Sequence, residues 1–477
     1  MAEKAELTKS EYSIVNKAEA NLTKSTFKLA LPAIGEMMMQ TLLGFADMAM
    51  VGSLGAAAIT AIGLSDMPMS TAMSVFAAVS VGTTALVARS IGAKRQEDAN
   101  NVAKQSLIIS FAMSLIFTTL AFSLAEPIVK LMGAEQDVVP LSTVYFKTVS
   151  LGLPFMIIAM IMSGVLRGSG DTKTPMYING LSNVVNIVGN FFMIFDSRIV
   201  EFTIPLINKH ISIFIPGAGM GVAGAAISTT LARSLSGIVI LLILMSNRGV
   251  IKINIKEKLK VDIVIIKRIF NIGIPAAIEQ FFMRFGQLIF GRIISSLGTV
   301  MFAAHRITLI AESVSFMPGF GFALAATTLV GQYLGAEKPD LSEKSGFTAV
   351  KMAAIVMSAF GIFFFVWPDI FLKIFTRDKE ILDNARWCLR IVALSQPFLA
   401  ATMGFAGGLR GAGDTKWVLI ITIIGIWGIR VSMALLFVYV FKWGLIGAWI
   451  AMSIDLIIRG TLYFFRFKSG KWKALRI

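Results

Sequence analysis

The sequence predicts an all-α integral membrane protein: twelve transmembrane helices in two six-helix lobes, related by a pseudo-two-fold axis along the membrane normal. Three observations predict this. Hydrophobic residues make up 56% of the 477 residues and charged residues 15%, with a mean hydropathy of +0.76; soluble domains run at roughly 45–50% apolar and about 25% charged. Apolar runs recur along the chain, each long enough to cross a hydrocarbon layer of about 30 Å. Finally, the octapeptide Leu166-Arg-Gly-Ser-Gly-Asp-Thr-Lys173 returns 243 residues later as Leu409-Arg-Gly-Ala-Gly-Asp-Thr-Lys416. The same offset carries Pro32 and Glu36 onto Pro275 and Glu279, Gly92 onto Gly335, Lys130 onto Lys373, and Pro154-Phe155 onto Pro397-Phe398. A duplicated polytopic chain is above all a transporter pattern, because alternating access needs two similar bundles that rock about a central site.

Residues 1–25 form a polar N-tail with no apolar signal-peptide core, so cleavage is not expected. The first lobe, residues 26–246, carries spans at about 26–50, 56–87, 104–125, 143–165, 176–195 and 219–246. A Lys-rich linker follows over 247–263. The second lobe, 264–465, carries spans at about 264–293, 300–331, 347–372, 387–408, 417–441 and 443–465, and 466–477 form a basic C-tail. Six spans per lobe is an even number, so both lobes enter the membrane in the same orientation. Past the fifth span the offset falls to 223, with Gly221, Gly224, Ala225, Ile227 and Gly237 matching Gly444, Gly447, Ala448, Ile450 and Gly460. This places an insertion in the loop 196–217 of the first lobe, where Ile199–Pro205 and Ile211–Pro216 can pair as a short hairpin.

The net charge of +16 does not point to nucleic acid, because the bases fall on one side of the predicted topology. They include Lys4, Lys9, Lys17 and Lys24; Lys94 and Arg95; Arg167 and Lys173; Arg248, Lys252, Lys256, Lys258 and Lys260; Lys338 and Lys344; Arg410 and Lys416; and Lys468, Lys471, Lys473 and Arg476. The positive-inside rule makes this side, with both termini, cytoplasmic. A single cysteine, Cys388, excludes an internal disulfide and a cysteine metal site, and His210 and His305 are too few for a histidine-rich one. No metal or nucleophile constellation suggests an enzyme, and no cofactor is expected beyond H⁺ or Na⁺ as a coupling ion.

An ionisable residue inside a span costs at least ~2.5–3.5 kcal/mol, so it normally faces a cavity or a partner. Away from helix ends the first half carries Glu36, Asp47, Asp66 and Arg233, three acids against one base. The second carries Glu279, Glu312 and Asp455 against Arg284, Arg292, Arg306, Arg430 and Arg459. The first lobe therefore has acid to spare for a cation. Asp47, with apolar neighbours, is the foremost candidate: desolvation favours its proton-carrying form, while oxygen neighbours would let it hold Na⁺. Its alternative is neutralisation by Arg233 or hydrogen bonding for packing. Asn183, Asn186 and Asn190 stack on one helix face at i, i+3 and i+7, either completing a cation site or serving as interhelical glue. Asp66 can supply a second carboxylate or pair with Arg233. Glu36 and Glu279, each four residues after a proline, can line a cavity or shape a bent helix. His305-Arg306 reads as structural, and Asp455 with Arg459 as an i, i+4 ion pair. In the octapeptide loops glycine ends one helix, Asp171 or Asp414 caps the next, and Arg and Lys anchor the cytoplasmic face. The spacing of a phosphate-binding P-loop is absent.

These residues resemble the multidrug and toxic compound extrusion (MATE) transporters over essentially the whole chain. The resemblance rests on the paired octapeptides, on Gly44-Phe-Ala-Asp-Met-Ala-Met-Val-Gly52, on Thr84-Ala-Leu-Val-Ala-Arg-Ser-Ile-Gly-Ala93, and on Gly221-Val-Ala-Gly-Ala-Ala-Ile-Ser-Thr229. It implies a two-lobed fold that exports drugs and lipophilic organic cations in exchange for H⁺ or Na⁺. Asp47 matches the family's first-span acid, and Thr229 a hydroxyl near it. Asn186 and Asn190 resemble an Asn and an Asp of archaeal members; here the second is Asn, so the carboxylate pair is lost. An acid that some members carry in the tenth span is absent from Ala393-Leu-Ser-Gln-Pro-Phe-Leu399. The expected coupling set is thus Asp47, Asn183, Asn186, Asn190, Thr229 and Asp66, with Na⁺ possible at Asp47, Asn186 and Asn190. The expected cavity lining is Glu36, Met37, Gln40, Glu279, Phe282 and Met283, its thioethers and rings suited to varied aromatic cations. The expected setting is a bacterial inner membrane, with membrane lipid as surroundings and one chain sufficient for function, the oligomeric state left open. The alternative is a flippase for a lipid-linked precursor, for which the five second-half arginines would bind phosphate.

Overall fold

The computed structural model describes residues 2–204, 209–246, 249–254, 260–475 and 477, with side chains described from residue 21 onward except 200–204 and 209–213. Arg248, Lys256, Lys258 and Arg476, four of the bases counted above, lie outside the described residues, as does Pro205 of the expected hairpin.

The first half folds as α1 (Ala2–Gly52), α2 (Ala56–Gly92), α3 (Gln96–Ser123), a short α4 (Ala125–Leu131), α5 (Val138–Leu151), α6 (Leu153–Gly168), α7 (Lys173–Met193), strands β1 (Asp196–Ile204) and β2 (Lys209–Ala218), and α8 (Gly221–Met245). The second half follows with α9 (Ile263–Ser295), α10 (Thr299–Gly335), α11 (Pro339–Val366), a short α12 (Pro368–Leu372), α13 (Lys379–Gly411), α14 (Thr415–Val440, including π-helical stretches) and α15 (Gly444–Lys468). Nine described helices are long and apolar enough to cross a bilayer, and the pair α5–α6, bent by 51°, makes a tenth. The last two, α7 and α9, are long enough at 21 and 33 residues but more polar. They complete the twelve, and they carry Asn186, Asn190 and Glu279.

Local chemistry explains where helices break. Asp171 Oδ1 accepts from the backbone N–H of Lys173 and Thr174 at 3.2 and 3.0 Å, capping α7 as expected. At α14 the Asp414 carboxylate is shared, reaching the Trp417 backbone N–H and taking Arg466 at 2.8 Å. Gly170 and Gly413 both have positive φ, at 94° and 85°, which a residue with a Cβ adopts only under strain. Pro32 and Pro275 lie inside α1 and α9, which run on through them without a break; neighbouring helices allow such prolines in membrane spans. The inserted loop forms the hairpin the sequence suggested, with Ile199 opposite Phe214.

The repeat is visible as geometry. Lys130 pairs with Glu126 at 2.7 Å and Lys373 with Asp369 at 3.0 Å, two ion pairs separated by the same 243-residue offset. Where the lobes meet, the contacts exchange: a Cβ on Gly92 would lie 1.9 Å from the carbonyl oxygen of Gln332, and one on Gly335 would lie 2.0 Å from that of Arg89. Reciprocal contacts of this kind are the mark of a two-fold axis, and only glycine lets the backbones approach so closely. Apart from Thr41 meeting Met317, hydrogen bonds between the lobes among the described residues lie at the end that carries the octapeptide loops, here called the basic end. The linker is bound to the first lobe there: Gln105 bonds the backbone of Lys260 and Asp262, and Ile251 and Ile253 are buried in that lobe's apolar core.

Candidate functional site

In the first lobe, three helices bring four side chains into one line. Asn190 Nδ2 on α7 donates to Asp47 Oδ1 on α1 at 2.7 Å and to Asn186 Oδ1, one turn back, at 3.2 Å. Asn186 Nδ2 donates to Thr229 Oγ1 on α8 at 3.2 Å, and the Ser228 hydroxyl holds the Asn186 carbonyl at 2.8 Å. Asn186 and Asn190 are buried, and Asn190 Oδ1 has no partner. The result is a carboxylate held by a neutral amide, with an unpaired amide oxygen beside it. Arg233 stands within charge–charge range of both Asp47 and Asp66, yet forms no ion pair with either among the described residues. Neutralisation by contact with Arg233 is therefore not how Asp47 is accommodated. Asp66 is exposed on α2 rather than bonded into the line. Asn183 shares the helix face but not the network, its Nδ2 buried without a partner. Tyr145, which the sequence did not single out, adjoins Thr229.

Glu36 and Glu279 are placed differently from the open cavity lining expected. Each is only 3% exposed. Glu36 Oε1 accepts from Arg167 Nη2 and Asn179 Nδ2, both at 2.6 Å. Glu279 Oε1 accepts from Arg410 Nη2 at 2.6 Å and Thr422 Oγ1 at 3.2 Å. All three positions of one triad map onto the other by the 243-residue offset, so the octapeptide arginines reach inward to a buried acid as well as marking the basic end. Asn179 and Thr422 escaped the sequence reading; applying the offset to every polar residue of the fifth span would have found them. Of the remaining expected lining, Gln40 is exposed, Met37, Phe282 and Met283 are half-buried, and the Phe282 ring meets Trp427 edge-on.

The second lobe fills the equivalent of the Asp47 site with its own residues. Phe290 stands at the offset position of Asp47, and the Arg430 guanidinium lies over its ring, 5.8 Å from the centroid. Arg430 Nε donates to Asp455 Oδ2 at 2.8 Å, and Arg459 donates to both oxygens at 2.6 and 2.8 Å. The expected Asp455–Arg459 pair thus forms, with Arg430 as a third member. Arg430 leaves α14 from a π-helical stretch, Ile424–Val431, an irregularity that re-aims side chains. Glu312 lies in range of Arg430. His305 is enclosed by Phe290, Phe302 and Trp449, a packing residue as its position suggested.

Twelve duplicated spans, a two-fold seam closed at one end and an acid held at membrane depth by a neutral amide define a polytopic membrane transporter. A sequence model of the MatE family matches residues 32–192 and 275–436, one segment in each half, and the chain belongs to that family, which is one of transporters and not of enzymes. It is 34% identical to a probable multidrug resistance protein NorM of Thermotoga maritima, over 95% of this chain and 93% of that one. It is 27% identical to the uncharacterized transporter YisQ of Bacillus subtilis, over 96% of each. Among solved structures it resembles a multidrug resistance MATE family transporter in an outward-facing conformation, with a TM-score of 0.84 and 24% identity over 94% of this chain and 97% of that one. A MOP superfamily transporter from Pyrococcus furiosus gives the same TM-score and identity, over 94% of this chain and 95% of that one. These two likenesses establish the fold.

Proposed function

We propose that the protein is a secondary antiporter that exports drugs or lipophilic organic cations in exchange for H⁺ or Na⁺, with Asp47 as the coupling carboxylate. The observation that carries this is the contrast among the acids at membrane depth. Glu36, Glu279 and Asp455 are each closed by arginine; Asp47, Asp66 and Glu312 form no such pair among the described residues, and of these Asp47 is the one bonded by a buried amide. A proton can come and go on such a group without breaking an ion pair. For Na⁺, the Asp47 carboxylate and the unpaired Asn190 Oδ1 supply the hard oxygen ligands an alkali ion needs, with Asn186 and Thr229 setting their orientation. The multidrug names of the relatives support the substrate class. In this reading the basic end faces the cytoplasm of a bacterial cell, both termini with it, and one chain contains a complete pathway.

The flippase reading loses ground because Arg430 and Arg459, two of the five second-half arginines it relied on, are committed to Asp455. Purified protein in vesicles, under separately imposed proton and Na⁺ gradients, tests the proposal. Accumulation of an ethidium-like dye under either gradient is expected. Movement of phosphate-bearing lipid alone, with no dye transport, would replace it with the flippase.

A further inference from the structure

We propose that residues 470–475, with Ile477, are a latch across the seam between the lobes, with Arg89 as its catch, and that opening the basic end requires its release. This rests on the two-state transport reading above. The segment is built onto the second lobe. Gly470, at φ +66°, turns the chain back after α15. Trp472, fully buried, stacks on Phe467 with ring centroids 4.6 Å apart and donates Nε1–H to the Phe467 carbonyl at 2.6 Å. Lys473 is tied to Glu343 and, at 3.6 Å, to Asp340.

From that anchorage the chain crosses to the first lobe. The Leu475 carbonyl accepts from Arg89 Nη2 on α2 at 2.8 Å, and Ile477 packs against the first lobe's apolar core while also filling the space beside Gly413 of the second. Arg89 is the residue whose own carbonyl abuts Gly335, at the closest approach of the two lobes. Around it Gln332 Nε2 donates to the Gly168 carbonyl and the Thr328 hydroxyl to that of Arg167, both at 3.0 Å. The catch is a weak one by design of its partners: Arg89 Nη1 is buried without an acceptor, and no carboxylate among the described residues pairs with the guanidinium. A single carbonyl holds it, so it can part within a transport cycle, where a buried Arg–carboxylate pair would resist.

Spin labels in a Cys388→Ser background test this, one pair at Arg95 and Lys338 reporting the basic end and another at Ser53 and Ser296 the opposite end. Two variants break the latch: Arg89→Gln, and a chain ending after Ala474, which keeps the Trp472 and Lys473 anchors. In both, the fraction of long basic-end distances should rise about tenfold or more, the factor one hydrogen bond to a charged group carries, with Arg89→Lys in between. Distances identical to the parent protein in both variants would overturn the latch. The parent's own response separates the two ideas. If neither pair responds to a transported dye or an imposed gradient, two-state transport fails, whereas the latch is decided by the variants alone.

Discussion

The two lobes share a backbone plan but fill their polar cores in opposite ways. In the first, the Asp47 carboxylate accepts from Asn190, which in turn bonds Asn186, so the acid is held by a neutral donor. In the second, Phe290 replaces that acid and the chain's own Arg430 lies over its ring, bound to Asp455 beside Arg459. The second lobe carries a permanent cation where the first holds an acid by a neutral amide, the place at which the proposed function seats a mobile ion. Duplication gives both lobes the same scaffold, including the Glu36–Arg167 and Glu279–Arg410 locks at 2.6 Å; on the proposed function, one half responds to an ion and the other holds still.

That division predicts that the largest stability losses come from the second lobe. Asp455→Asn leaves two buried arginines without a carboxylate, and breaking a buried pair of this kind costs about 3–5 kcal/mol. The melting temperature in detergent should fall accordingly, and a melting curve like the parent's would mean the arginines find other acceptors. In the first lobe the losses should be functional instead. Asn190→Ala removes a hydrogen bond to a charged group, worth about 1.5–3 kcal/mol, so gradient-driven dye transport should drop roughly tenfold to a hundredfold. Asn186→Ala removes only neutral bonds, about 0.5–1.5 kcal/mol each, and should do less. An equal effect of the two variants would remove Asn190 from its special place beside Asp47.

Much of this was legible because the signals were periodic or repeated. The 243-residue offset located both lobes, the hairpin insertion and the acids Glu36 and Glu279, and the i, i+3, i+7 asparagines announced the polar face of α7. Pairings across helices were less legible. Nothing local to Glu36 points to Arg167, since the two meet only when α1 and α6 pack. Likewise Arg430 reaches Asp455 from a π-helical stretch whose departure from regular geometry leaves no clear mark in the sequence. The bend between α5 and α6 shows the same limit. Pro154 and Pro397 are equivalent, yet the helix breaks only in the first half, where Gly152 stands in place of Ser395.

Smaller effects refine the comparison. If the two acid–arginine locks are interchangeable parts of the scaffold, exchanging their third members should matter little. Asn179→Thr and Thr422→Asn should each shift stability by no more than about 1 kcal/mol, the scale of one neutral hydrogen bond, and a larger loss on one side only would show that the locks have diverged too. The smallest effect is expected at the end opposite the basic one. There the Arg386 and Lys373 side chains hold the Asp369 carboxyl down to about 2 from its ordinary 3.8. A depressed carboxyl contributes stability above its unfolded value and loses it as pH falls towards 2, weakly because this pair faces solvent. Arg386→Ala should flatten that acid-side dependence in melting curves taken between pH 5 and pH 2, to use about the range the shift spans, and an unchanged profile would show the pair to be inert.

The central claim, that the exchangeable cation belongs to the first lobe, is tested most directly by dye transport in vesicles carrying Asp47→Asn beside Glu312→Gln, at equal protein abundance. The amide preserves size and removes an intramembrane charge, but it has no acid form to alternate with. Because an ion can shift the lobe equilibrium only through its different affinity for the two states, Asp47→Asn should abolish gradient-driven transport while dye binding and melting temperature hold, and Glu312→Gln should keep transport. Wild-type rates from Asp47→Asn, with transport lost in Glu312→Gln, would contradict the account and move the coupling site to the second lobe.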